Sequence, residues 1–528
     1  MRPPVGSHLA SCLPVTGSEV LRASLRAGVA RCALHHRGGL PPPTFCRSPG
    51  APGLSNSDMN ALALDRSVDC NGGRSKTCAI GGSCMARVSD ERPSQNLSAD
   101  VLIVGGGAAG LAAACTAARA GVRVLLLEKY GFCGGAAVAG LSGTVCGLFA
   151  ATDNRSAAPE RVVFGFADRF LDVMKMKGGV TDPVRYGKTF TLTHDPLVWR
   201  EAGDYLLAEA GAKILFHTTV VDVLTEGERV DGVVAWTKQG RLDIRAHITV
   251  DASGDADIAA LAGLETFVGR DGAVQNPTMI FRLMGVDVDR FRAHYGDDTI
   301  LGDDVSQMIR NLHNSREYDL PRAKVFLFPT PRPNELLCNC TRVIGRDGRE
   351  LNPLLVEDMT EAEIQGRRQV REYARFFKDR LVGCENSFVN DTGVQVGVRQ
   401  TRQIKGVEML VNGDVVSGKK RKTSIARSAW PIELHSGEKP RLEWLLDDYY
   451  DIAYENFVPL RGEGLLVAGR CLSAEHEAMA SARVTAQCFS YGQAIGMAAA
   501  MCVRGGVSPR TLNVADLREA LLGDGAVI

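Results

Sequence analysis

Three glycines and one acid set the chemistry open to this chain. Gly105, Gly107 and Gly110 stand in the run Gly105-Gly106-Gly107-Ala108-Ala109-Gly110, after the apolar stretch 101–104. Glu128 closes a second apolar stretch, 122–127, and lies 23 positions after the first glycine. Gly105 allows a tight turn out of a strand, Gly107 lets backbone approach a pyrophosphate, and Gly110 lets a helix pack closely on a sheet. Ala108 and Ala109 would open that helix, whose first N–H groups and partial positive charge suit phosphate. Glu128 would accept hydrogen bonds from ribose hydroxyls. The pattern predicts strand, turn, helix, strand, bound to a dinucleotide.

A second glycine pair follows soon after, in Lys129-Tyr130-Gly131-Phe132-Cys133-Gly134-Gly135. Gly134 and Gly135 suit backbone lying along the rest of a long cofactor, which favours flavin adenine dinucleotide (FAD) over NAD. No second GxGxxG occurs in the middle of the chain, so a separate NAD(P)H domain is not expected.

Other residues could handle a substrate. Arg399 and Arg402 are three apart; on a helical turn they share a face, in a strand they oppose each other. As a pair they could clamp a carboxylate, and as single residues they could bridge to acids such as Asp391 or Glu408. His435 and His476 are the acid/base candidates, the second flanked by Glu475 and Glu477. Cys133 and Cys471 adjoin the candidate cofactor segments but are far apart in sequence; inert residues are favoured over a redox pair. Cys338 and Cys340 share one face of an alternating strand, in poor geometry for a disulfide. No cysteine spacing matches a metal site, so no metal ligands are predicted.

The elements that position these residues read as alternating α and β. Beyond the opening unit, the pattern gives a helix over 164–176, a helix to Ala210 capped by Gly211, and strands over 213–217, 218–223, 229–237 and 241–250. A short apolar helix over 258–261 follows Asp251, and a charged helix over 361–381 interrupts a strand-rich middle. A last strand, 465–468, precedes a long alanine-rich helix expected to begin near Ala480 and Ser481. Its N-terminus would face the flavin, with Arg483 one turn in and able to touch substrate or cofactor. The predicted fold is α/β: a Rossmann-like FAD-binding domain with a parallel sheet and helices, plus a mixed α+β substrate or cap domain. Its parts are 98–265 (with a helical insertion at 150–190), 266–455 for the cap, and 456–528 returning to the FAD domain.

Composition limits the partners. Among 528 residues Lys plus Arg equals Asp plus Glu, so no nucleic acid or charged membrane surface is indicated. No apolar run is long enough to span a membrane. Fifteen scattered cysteines suit a reducing, cytoplasmic setting. Residues 1–97 are rich in Pro, Gly, Ser and Arg and read as a disordered leader or a mis-set start, with Met59 and Met85 as alternative starts and a transit peptide as the competing reading.

Several segments in order resemble the FAD-dependent oxidoreductases, and among them the heterodisulfide-reductase A-like flavoproteins. They are ADVLIVGGGAAG, EKYGFCGG, THDPLVWREAGDYLLAEAGAKILFHTTVVDV, ITVDASGDADIAALAG, NDTGVQVGVRQTRQIKG, SIARSAWPIELH and LLVAGRCLSAEHEAMASARVTAQCFSYGQAIGMAAA. The resemblance covers roughly 98–528. It implies FAD at Gly105, Gly107, Gly110, Glu128, Gly134 and Gly135, with Val220 or Val221 contacting adenine through backbone. Ala252-Ser253-Gly254-Asp255 matches an Ala-Thr-Gly-Asp stretch. Gly469 and Arg470 end the last strand, where Arg470 could contact a phosphate. Ala480 and Ser481 would start the helix facing the flavin. The implied activity is hydride or electron transfer on a small organic substrate. An electron-transfer flavoprotein carrying a [4Fe–4S] cluster and working with a protein partner is the alternative, but clustered ligand cysteines are missing. A flavin-binding protein without turnover is the third reading.

Overall fold

Unbroken apolar runs become the centre of the molecule. In the computed structural model, which describes residues 95–435 and 441–528, Gln95–Val104 and Val124–Leu127 pair in parallel, Val101 beside Val124 and Val104 beside Leu127. All four residues of Val124–Leu127 are buried, because the sheet is covered on both faces. Lys213–Leu215 extends the sheet on one side, and Gly240–Asp251 lies parallel to the first strand on the other. Arg229–Thr237 and Thr219–Glu226 continue it antiparallel. Leu465–Val467 returns from far along the chain to pair in parallel with residues 249–251, completing seven strands. The expected leader lies outside the described residues up to position 94. Residues 95–97, expected within it, instead extend the first strand, Gln95 pairing with Leu242 along the twelve-residue Gly240–Asp251 strand.

The helices Ala108–Arg119 and Thr485–Gly505 cross in contact. A Cβ on Gly492 would stand 2.1 Å from the Ala109 carbonyl oxygen, and one on Gly496 would stand 2.4 Å from that of Ala113. Their small residues therefore let the two backbones touch. The alanine-rich run is buried protein core, and no helix among the described residues is long and apolar enough to cross a membrane.

A second core lies over residues 279–396. It is built on a four-stranded antiparallel sheet in the order Phe326–Pro329, Glu335–Asn339, Phe281–Met284, Phe388–Thr392. The helix Val356–Arg380 buries Ala362, Val370, Tyr373, Phe376 and Phe377 there, with acids in its first turn and Lys378 and Arg380 in its last, as the helix dipole favours. Buried residues of 404–458, among them Ile404, Ile425, Ile432 and Tyr450, join the first core instead. A third cluster, including Tyr186, Ile280, Phe328, Leu337 and Trp430, joins these layers.

Candidate active site

A cavity of about 500 Å3 runs from the C-terminal ends of the parallel strands to the four-stranded sheet. Gly105, Gly107, Ala108, Ala109, Glu128, Lys129, Gly134 and Gly135 line one end of it. The three glycines do different work. Gly105 has φ +103°, and a Cβ there would lie 2.4 Å from the Ala252 oxygen; a Cβ on Gly110 would lie 1.8 Å from the Gly105 oxygen. Those two are required by the protein itself, and Gly110 lies beneath the floor rather than on it. A Cβ on Gly107 meets nothing closer than the Gly135 Cα at 3.9 Å. Gly107 is the N-cap of Ala108–Arg119 and supplies no side chain to close the first N–H groups of that helix.

Glu128 is buried, and both its oxygens are held. Oε2 accepts from the Gly106 N–H at 2.7 Å and Oε1 from the Tyr130 N–H at 2.8 Å. Burial raises its pKa against those two bonds and the Lys129 charge. Ala252, Ser253, Gly254 and Asp255 line the same end. The Ser253 hydroxyl is committed within its turn: it donates to Asp251 Oδ1 at 2.6 Å and accepts from the Asp255 and Asp257 N–H groups. Arg470 lines the cavity beside Gly469, its NH2 2.9 Å from Asp255 Oδ1 and its NH1 2.9 Å from Thr401 Oγ1. Val220 lines the cavity, whereas Val221 faces outward at 49% exposure.

The other end is made of side chains. Glu433 lies on Ile432–Leu434, and its Oε1 accepts from the Tyr186 hydroxyl at 2.7 Å and stands 3.1 Å from His435 Nε2. Its Oε2 accepts from Trp430 Nε1 at 3.3 Å. Burial opposes the charge on Glu433, but His435, Arg483 and Tyr186 hold its pKa down at about 2. His435 is pushed down to about 3 by burial and then by Arg399, against the pull of Glu433. At neutral pH the pair is therefore a carboxylate and a neutral imidazole. Cys146 lies nearby in the wall, its Sγ 3.2 Å from Thr144 Oγ1, and burial pushes its thiol up to about 11.

The structure brings His435, Arg399 and Arg483 to this end. It takes Arg402 elsewhere: that residue opens the strand Arg402–Ile404, donates from Nε to the Asp255 carbonyl at 2.9 Å and pairs with Asp257. Arg399 and Arg402 thus form no clamp, because the segment is not helical. His476 begins the helix His476–Ala482, its Nδ1 buried without a partner, and it does not line the cavity. Ala480 and Ser481 lie inside that helix, where the Ser481 hydroxyl donates to the Trp430 carbonyl at 2.5 Å. The helical run is interrupted at Arg483 and Val484, and the helix whose first turn lines the cavity begins at Thr485. Cys133 and Cys471 are unpaired; Cys471 Sγ stands 3.8 Å from Asp251 Oδ1.

Sequence reasoning missed Tyr186, Asn339, Trp430, Glu433 and Cys146. Glu433 had a signal: it stands two residues from His435 in a strand, on the same face. Tyr186 had none, since it reaches Glu433 from a hairpin 247 positions away.

Residues 100–521 match the family described as FAD dependent oxidoreductase. The chain belongs to that family. Its cofactor is FAD, and the glycine end fits it: the open floor over Gly107, the uncapped helix start and the Arg470 guanidinium are what a pyrophosphate needs. Similarity to individual proteins is narrower. The chain is 33% identical over 171 residues to the thiamine thiazole synthase of Aeropyrum pernix, covering 30% of this chain and 56% of that one. It is 31% identical over 175 residues to the digeranylgeranylglycerophospholipid reductase of Methanoculleus marisnigri, covering 32% and 42%. The chain thus spans about half the length of these curated relatives. Among solved structures, a geranylgeranyl bacteriochlorophyll reductase-like protein of Thermoplasma acidophilum aligns at TM-score 0.43 and 14% identity, covering 81% of this chain and 83% of that one.

Proposed function

We propose that this flavoprotein catalyses redox chemistry on a small organic substrate held at the His435 end of the cavity. The observation that carries the reading is one continuous cavity, lined by the phosphate-binding glycines at one end and by a buried Glu433–His435–Tyr186 group at the other. FAD supplies hydride or electron transfer when bound. Gly105, Gly107, Ala108, Ala109 and Arg470 would hold its phosphates, Glu128 and Lys129 its adenosine ribose, and Val220 its adenine. Gly134, Gly135, Ala252, Ser253, Gly254, Asp255 and Gly469 would follow the rest.

The chain's own groups then handle protons. With Nε2 directed at Glu433, the neutral His435 keeps a lone pair on Nδ1, which would accept a hydrogen bond from a substrate O–H or N–H. Tyr186, its pKa raised well above the ordinary value by burial and Glu433, stays a donor and fixes that carboxylate. Within the family we place the chain nearest the heterodisulfide-reductase A-like flavoproteins, on the motif order alone. Its nine described cysteines are unpaired thiols, which supports a reducing, cytoplasmic setting.

The test is an absorption spectrum of the purified protein before dithionite, after it, and after air. Flavin bands that bleach and return are expected. A protein that neither carries nor takes up FAD would overturn the reading, and a bound flavin that cannot be reduced would leave a binding protein rather than an enzyme.

A further inference from the structure

Two arginines turned inward from the surface are paired with acids. Arg282 donates to Asp391 at 2.8 Å and stands 3.5 Å from Glu335, and Arg332 donates to Asp195 at 2.6 Å. Three arginines at the His435 end break that pattern. Arg399 is 8% exposed, and its bond within the described residues runs from NH1 to the Asn276 carbonyl at 2.6 Å. Arg483 reaches the Gln275 Oε1 at 3.3 Å and the Glu433 carbonyl at 3.5 Å, with its buried Nε unpartnered. Arg322, 3% exposed, donates from NH1 to Asn339 Oδ1 at 3.0 Å and lies over the Phe326 ring at 4.6 Å, and its Nε and NH2 have no hydrogen-bond partner.

Among the described residues none of the three is ion-paired with a carboxylate. The one carboxylate beside them, Glu433, is occupied by Tyr186, Trp430 and His435. Guanidinium groups stay charged in proteins, and removing them from water unpaired is unfavourable. Their amide neighbours are turned to match. Arg483 takes the oxygen of Gln275 and leaves its buried Nε2 unpartnered, while Arg322 takes the oxygen of Asn339, a cavity-wall residue. Asn276 Oδ1 is the exception, an unpartnered acceptor. Tyr186, Phe328, Trp430 and Ile280 provide apolar wall beside these donors.

We infer that the substrate is a small organic acid, its carboxylate held by Arg399 and Arg483, with Arg322 behind Asn339 as a positioning residue. This rests on the redox reading above and supplies its substrate class. The planar fork of a guanidinium matches a carboxylate, and the apolar wall takes the carbon body.

The test uses the FAD-loaded protein. It is titrated with malonate, succinate and benzoate, with their neutral amides and with inorganic phosphate, reading both the flavin difference spectrum and the melting temperature. At least one acid is expected to give a saturable response in both, with its amide silent. Arg399→Lys, which keeps the charge but loses the fork, and Arg483→Met should each weaken that acid by about tenfold or more. Arg402→Met, outside the cavity, should leave it unchanged. Equal responses to acids and amides, silence from all three acids, or unaltered affinity in both cavity variants overturns the inference. Phosphate binding as tightly as the best acid overturns the carboxylate assignment. A flavin that bleaches with dithionite yet ignores every acid fails this inference alone; an irreducible flavin fails the redox reading, while melting still reports the acid site.

Discussion

The two ends of one cavity are built by opposite rules. At the glycine end the protein presents backbone: Gly105, Gly107, Gly134 and Gly135 come from two stretches close in sequence, and the Gly134 N–H donates to the Gly106 oxygen at 2.8 Å. At the arginine end it presents long polar side chains, with Tyr186, Asn339, Arg399, Glu433 and Arg483 drawn from segments spread over some three hundred residues. A shared cofactor can be met by local geometry, so its site is compact in the chain. A substrate must be met by chemistry, and several buried charged groups can be brought together only by tertiary folding.

The largest effects should fall on the glycine end, and they should split it. Gly110→Ala drives a Cβ into the Gly105 oxygen, backbone on backbone, and should destabilise the apoprotein by about 3 kcal/mol or more. Gly107→Ala puts its Cβ into open cavity, and should leave apoprotein melting unchanged while weakening FAD about 100-fold, or ~2.7 kcal/mol. Melting curves and FAD titrations of the two variants decide it. If Gly107→Ala binds FAD normally, the floor is not where the phosphates lie and the contrast between the ends fails.

Glu433→Gln should show the reverse phenotype. It strips the one carboxylate from beside Arg399, Arg483 and Arg322 and weakens what Tyr186, Trp430 and His435 hold. Losing one partner of such a buried charged group costs about 3–5 kcal/mol, so melting should fall while FAD bound per folded molecule stays the same. A variant that melts like the parent would mean that the arginines do not depend on Glu433.

These contrasts explain what the sequence could reveal. The first crossover was legible because GxGxxG, two apolar runs and an acid must occur at fixed spacing to work at all. The helix Pro196–Ala210 was equally plain, with Asp195 accepting from the Leu197 N–H and Gly211 in the left-handed conformation at its end. Arg402 misled because spacing by three means opposite things on a helix and a strand, and only the pairing of Arg402 with Val268 decides between them. The start of the long helix was misplaced because helix-forming residues stand on both sides of the break, Ala480 and Ser481 before it and Ala486 and Gln487 after it; the fit of Thr485 and Ala486 to the Thr144 and Cys146 carbonyls is tertiary. Arg399 and Arg483 were each singled out from the sequence, but nothing local joined them to one another or pointed to Arg322.

Arg402→Ala gives a smaller effect and marks where the arginine end stops. Its partner Asp257 is 46% exposed and stands in the cavity wall beside Asp255, while Arg402 itself does not line the cavity. Surface pairs of this kind contribute about 1 kcal/mol or less, so melting should shift by only a few degrees and FAD affinity should hold. A large loss of FAD would instead tie Arg402 to the cofactor through the Asp255 carbonyl it bonds.

The smallest expected effect concerns protons. His194 and His435 are both buried as neutral imidazoles, but in different company. His194 has no partner on either ring nitrogen and lies 4.5 Å from the Trp199 ring; burial pushes its pKa down to about 4. His435 is pushed down by burial and Arg399 beside a carboxylate. An unfolded histidine takes its proton near 6.5, so below that pH the unfolded chain binds more protons than the folded one. Stability therefore rises with pH across this range and is lost as pH falls from about 6.5 toward about 4 for His194 and about 3 for His435. Glu433 loses its contribution only below its ordinary value of 4.5, which leaves the interval above 4.5 to the histidines in this comparison. His194→Phe keeps a ring against Trp199 and removes one of the histidines with a lowered pKa, so melting temperature against pH between 6.5 and 4.5 should flatten, with little change at neutrality. An unaltered slope in that interval would mean that His194 takes up no proton on unfolding there, and would leave the acid sensitivity to His435 and to His476, whose pKa burial also lowers.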